Sequence, residues 1–157
     1  MEAHLPKATE QHRKLQALAG EWSGEETIHP SPWDAKGRKA TSKTRARMDL
    51  GGFFLIADYE QHGPDGTVCY AGHGVYGWDP KAEKYTMHWF DVWGMDPGAP
   101  MLGTWEGKTL RFDHKHERGY NRYIYVFEAD GRYAFRIEMS QDGKNWAPFI
   151  DGTYQRK

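Results

Sequence analysis

From Gly20 to its end the chain is stopped at short, regular intervals by turn chemistry: Gly51-Gly52, GPDG at Gly63–Gly66, DPKAEK at Asp79–Lys84, EGK at Glu106–Lys108, ADG at Ala129–Gly131 and QDGKN at Gln141–Asn145. Gly, Asp and Asn tolerate the left-handed backbone that tight hairpins need, and Pro pre-sets the bend. The runs between these stops alternate in polarity, which marks half-buried strands. Strands are predicted at about Trp22–His29, Thr41–Leu50, Phe53–Gln61, Cys69–Trp78, Lys84–Val92, Met101–Glu106, Thr109–His116, Asn121–Glu128, Arg132–Ser140 and Ala147–Gln155. Neighbours joined by hairpins form an antiparallel meander, and about ten such strands curl and close into an up-and-down barrel without exposed edges. The expected fold class is therefore all-β. One segment departs from the pattern: Thr9–Leu18 reads as a short helix, with Thr9 as N-cap, Leu15 and Leu18 on one stripe and Gly20 near its stop.

A chain of 157 residues has the length of one domain and can bury roughly 70% of its unfolded surface. The expectation is one domain over 1–157, with the helix at 9–18 and the barrel at 20–156. Net charge is −1 with both signs interspersed, so neither nucleic acid nor an anionic membrane surface is an expected partner. No run is long and apolar enough to span a bilayer, and Met1-Glu2-Ala3-His4 lacks the basic-then-apolar order of a secretory signal, which points to a cytoplasmic location. The single Cys69 excludes an internal disulfide and reads as a small packed residue in a reducing compartment. The chain is rich in rings, with 7 Trp, 9 Tyr and 7 Phe; such residues favour strands and also line ligand pockets.

The first strand opens with Gly20-x-Trp22-x-Gly24, a large ring between two residues without side chains, all on one strand face. A helix followed by this motif at the head of a meander resembles the calycins, the lipocalin and fatty-acid-binding superfamily. The resemblance implies that Trp22 and the N-terminal helix close one end of the barrel, with a basic residue of the last strand packed on the indole. In GTYQRK that residue is Arg156. More narrowly, LAGEWSGE (Leu18–Glu25), MDLGGFFLIADYE (Met48–Glu60), GHGVYGWDPKAEKYTMHWFD (Gly72–Asp91) and GTYQRK (Gly152–Lys157) resemble a bacterial family of lipocalin-like proteins catalogued only as a domain of unknown function. That resemblance implies an Arg after Gly51-Gly52, where this chain has Phe53; if the Arg serves a ligand, this protein takes a less anionic one. More distantly the chain is similar to the nitrobindins, which hold haem through a His on their final strands, but Trp146–Lys157 contains no His.

On the fifth predicted strand Tyr85, Met87, Trp89, Asp91 and Trp93 share one face and Thr86, His88, Phe90 and Val92 the other. Trp89 and Asp91 are positions matching the family, and a carboxylate among rings suggests a pocket with one orienting polar group. The plainer alternative is that Asp91 caps a turn or pairs with an Arg such as Arg136. Gly72 and Gly74, beside Tyr70, Tyr76 and Trp78, either open space or permit strong coiling. The ligand-binding candidates are Trp89, Asp91, Tyr76, Met87, Phe135 and His88, with Trp22 and Arg156 assigned to barrel closure. Two longer connections, Pro30–Ala40 and Trp93–Met101, carry Trp, Met, Pro and Gly and serve either as lids or as plain connectors. His114-x-His116 supplies only two metal ligands, and Glu117 follows too soon to complete a set.

No catalytic or metal residues are assigned, and signatures of hydrolase elbow, phosphate loop, dinucleotide fold or zinc protease are missing. The expected function is binding of a small apolar or aromatic molecule inside the barrel, without a cofactor and with homodimer formation left open. Three alternatives stand beside it: a haem-binding, nitrobindin-like barrel, an isomerase or hydrolase using Asp91 with His88 or His73, and a barrel filled by its own aromatics.

Overall fold

The computed structural model describes residues 4–129 and 131–157. Met1–Ala3 of the N-terminal reading and Asp130 of the predicted ADG turn lie outside the described residues. The remaining turns separate ten antiparallel strands: β1 (Gly20–Ile28), β2 (Arg38–Asp49), β3 (Phe54–His62), β4 (Val68–Asp79), β5 (Lys84–Asp91), β6 (Met101–Glu106), β7 (Thr109–His116), β8 (Gly119–Glu128), β9 (Arg132–Ser140) and β10 (Ala147–Arg156). Each pairs with its sequence neighbour, and β1 pairs with β10 to close the barrel. The predicted strands begin and end within a few residues of these. The largest shift is at β2, which starts three residues early because Arg38, Lys39 and Ala40 continue the ladder with β1.

The predicted helix is present but divided. An α-helical turn, α1 (Glu10–Arg13), tightens into a 3-10 segment over Lys14–Leu18. Helix ends often tighten this way, and here the chain must reach Gly20, whose φ of 125° suits glycine alone. At the other end Thr9 N–H donates to His12 Nδ1 at 3.0 Å, so a histidine occupies the place that Glu or Gln takes in a capping box. Leu15 and Leu18 turn into the barrel, and Tyr85 Oη donates to the Gln11 carbonyl at 2.8 Å, tying the helix to β5.

The barrel has two unlike halves. Up-and-down topology puts the helix, the start of β1 and the end of β10 at one end, called the lower end here. The largest fully buried side chains, Tyr85, Phe112, Leu15, Leu55 and Leu110, all belong to the lower half. Trp22 is the plug: its Nε1 donates to the Leu18 carbonyl at 2.9 Å, and Tyr133 packs edge-on at 4.7 Å. Arg156, directly opposite Trp22 across the β1–β10 ladder, places its guanidinium 4.5 Å from the indole centroid and donates to the Ala17 carbonyl.

Gly24 does not leave open space above this plug. A methyl group there would collide with the Tyr154 ring and the Ser42 hydroxyl. Gly72 against Trp89 and Gly103 against Phe112 follow the same rule. The inward glycines are beds on which rings lie flat against the wall.

Candidate functional site

Above the plug the barrel is hollow, with a cavity of about 470 Å³. That volume lies in the range of small-molecule sites, and it rules out a barrel filled completely by its own aromatics. Of the candidates, Trp89, Asp91, Tyr76, Met87 and Phe135 all line it. His88 does not: on β5 it alternates with Met87 and Trp89, and strand parity turns it to the outer face. His73 is also outside, exposed and 2.7 Å from Asp58. Among the described residues no histidine lines the cavity, so neither His73 nor His88 is brought to Asp91.

Asp91 sits where β5 ends. Its Oδ2 accepts from Tyr70 Oη at 2.8 Å and its Oδ1 from the Trp93 N–H at 3.0 Å. Trp89 Nε1 in turn donates to Tyr70 Oη at 2.7 Å, so an indole, a phenol and a carboxylate form one chain. The carboxylate therefore caps a turn and also faces the cavity. Arg136 pairs instead with Asp151, at 2.7 Å. Burial, with further contributions from Asp91, drives the Tyr70 phenol well above its usual range.

A second polar cluster has no counterpart among the sequence candidates. Glu26 of β1 is 3% exposed and lines the cavity. Tyr59 Oη lies 2.8 Å from both carboxylate oxygens, Gln61 Nε2 donates to Oε1 at 3.2 Å, and Tyr154 Oη donates to Oε2. Gln61 Nε2 also donates to Tyr59 Oη, which aims the Tyr59 proton at Glu26. Cys69, exposed rather than packed, stands at the rim: its thiol lies 3.5 Å from Gln61 Oε1 and 3.5 Å from the Gln61 carbonyl. Burial first, and then the Glu26 charge, hold the Tyr59 and Tyr154 protons far above the ordinary phenol range. A deeper pair, Tyr76 and Tyr125, shares a hydrogen bond of 2.8 Å, and burial pushes Tyr76 up to about 12.

The strand pattern offers a signal for Glu26. Trp22 and Gly24 face inward, and the same parity extended by two residues reaches Glu26. Nothing local shows that Tyr59, Gln61 and Tyr154 would meet it.

Both long connections contribute to the mouth. Trp33, in the loop after β1, lies 5.8 Å from Phe149, and Trp93 follows β5; both line the cavity while remaining 65% and 75% exposed. Between them the wall has a gap in its ladder. β6 pairs with β5 only over Tyr85–Met87, and with β7 only as far as Asp113, so His88–Asp91 and His114–His116 have no β6 partner. His116 Nε2 contacts Asn121 Oδ1 at 3.3 Å at that gap. No group of three or more candidate metal ligands exists among the described residues, and no helix among them is long and apolar enough to cross a membrane.

Phe53 does not line this cavity: it packs on His12 at the lower end, with ring centroids 4.9 Å apart. The Phe-for-Arg difference therefore says nothing about ligand charge.

Comparison with known proteins agrees with this architecture. A family model described as "Protein of unknown function (DUF1579)" matches residues 7–156. Among solved structures, the crystal structure of Rv2717c from M. tuberculosis superposes with a TM-score of 0.71 at 12% identity, covering 96% of this chain and 99% of that one. The S-type phycobiliprotein lyase CPES from Guillardia theta gives 0.70 at 12% identity, covering 95% and 93%. Both are lipocalin-like barrels, and likeness at this identity carries the fold alone. No curated protein matches the chain.

Proposed function

The chain belongs to the DUF1579 family of proteins of unknown function, and from that premise we propose that it is a binding protein that encloses one small, largely apolar or aromatic molecule in the upper half of its lipocalin-like barrel. The observation that carries this reading is the cavity of about 470 Å³, walled by Tyr76, Met87, Trp89 and Phe135 and met by two polar clusters rather than by many scattered polar groups. An apolar ligand gains by leaving water, roughly 25 cal/mol for each Å² of apolar surface buried, and the polar clusters fix its pose. Trp33 and Trp93 at the mouth supply apolar surface over which a ligand enters. The phycobiliprotein lyase among the structural neighbours is consistent with a barrel that handles small molecules.

Mass spectrometry of protein purified without denaturation tests the reading directly. A bound small molecule, released on unfolding, is the expected result. If the protein emerges empty, calorimetry with naphthylmethanol, a neutral apolar probe, decides. Binding lost in Ala57→Trp, which fills the cavity from β3, supports a cavity binder, provided circular dichroism shows the barrel intact. No passenger and no heat of binding would refute it.

A further inference from the structure

We propose that the cavity selects a cationic ligand, one whose apolar or aromatic body carries a protonated amine or an equivalent N–H⁺ group; this rests on the cavity being a ligand site, and goes further by naming the ligand's charge.

The charged side chains on the cavity wall, among the described residues, are Glu26, Asp91 and Arg38. Arg38 belongs to the mouth. It is about half exposed and lies 3.9 Å from Asp34, so water and a neighbouring carboxylate already answer its charge. The two acids are held differently. Glu26 is met by two phenols and an amide, Asp91 by a phenol and a backbone N–H, and all of these are neutral donors. Neutral donors replace the hydration a carboxylate loses on burial, but they do not cancel its charge. Beside apolar walls that charge is screened less than in bulk water and acts over several ångströms.

The surface between the two acids suits the same ligand. Tyr59, which donates to Glu26, lies 6.1 Å from Tyr70 and 5.9 Å from Trp89, centroid to centroid, and Tyr70 donates to Asp91. Glu26 and Asp91 are thus joined by three packed rings, whose faces attract cations. A protonated amine entering here meets a carboxylate and ring faces together. A neutral ligand gains only the apolar burial. An anion would be enclosed beside two carboxylates with no cation of its own to meet, an arrangement that complementary sites avoid.

Calorimetry with three probes of one shape separates these cases: naphthylmethylamine, naphthylmethanol and naphthoate. A charge-assisted hydrogen bond is about twice as strong as a neutral one, so the amine is expected to bind about tenfold more tightly than the alcohol, and naphthoate more weakly than either. In Glu26→Gln the amine-to-alcohol ratio should fall toward unity. Should that variant fail to fold, Asp91→Asn, nearer the mouth, reads out the same ratio. Alcohol or carboxylate binding as tightly as the amine would overturn the charge assignment while leaving the binding function standing. If none of the three binds and the purified protein carries no passenger, both proposals fail together; a passenger without a positive charge overturns the charge assignment alone.

Discussion

Tyr154 has two roles that its neighbours make inseparable. Its ring lies against the backbone at Gly24, where a methyl would collide with it, and its hydroxyl donates to the buried carboxylate of Glu26. Removing that hydroxyl in Tyr154→Phe leaves the buried carboxylate of Glu26 with fewer donors. The expected cost is about 1–3 kcal/mol, the usual penalty for depriving a buried polar group of a partner, measured by urea unfolding. A loss under about 0.5 kcal/mol would mean that the carboxylate does not depend on this phenol. Trp22, Gly24 and the cavity side chains of β5 were legible in the sequence because strand parity is a local property. Glu26 was hidden in plain alternation: a carboxylate in a run such as Gly24-Glu25-Glu26-Thr27 reads as a wet strand face unless the inward parity of Trp22 is carried forward. His88 shows the converse, a candidate by proximity to Asp91 that its own parity directs away from the cavity.

At the scale of elements, the N-terminal helical segment joins the lower end through a device that responds to pH. His12 is buried, and its Nδ1 accepts from the Thr9 N–H, so the cap requires the neutral ring. Burial, with the nearby Arg13, lowers the His12 pKa below its ordinary 6.5. The unfolded chain therefore takes up a proton before the folded one does. The His12 contribution is complete above the unfolded value and is lost as pH falls through the lowered folded value. Thermal melts at about pH 7.5 and about pH 5 should show a larger drop for the native protein than for His12→Gln, because Gln fills the same capping role without titrating. Equal drops would sever His12 from the acid sensitivity. The division of the predicted helix into an α turn and a 3-10 segment was not legible, since it follows from where Leu15, Leu18 and Tyr85 must sit. The short pairing of β5 with β6 is of the same kind: Met101–Glu106 has its predicted bounds, but its length alone does not say how far along β5 the pairing will reach.

For the molecule as a whole, fully buried lower residues and a cavity that reaches from the mouth down to Leu18 and Leu55 divide stability from function. Truncating a fully buried lower residue, Leu110→Ala, creates a new void and should cost about 2–5 kcal/mol. Ile137→Ala on the cavity wall enlarges a space that is already present and should cost under about 2 kcal/mol while altering ligand binding. Denaturant unfolding of the two variants checks the contrast, and equal costs would contradict a two-part barrel. The sequence by itself determined that the chain is all-β and that its strands run up and down in ten steps, because turns and alternation are written in neighbouring residues; the meeting of Trp22 and Arg156 at one end was implied by the resemblance to the calycins. Only the tertiary structure decided that Glu26, Tyr59, Gln61 and Tyr154 share one cluster, that rings occupy the room the glycines leave, and that the barrel is hollow above its plug. Those outcomes depend on the register of strands around a closed ring, where a slip of one residue would turn every side chain on that strand to the other face.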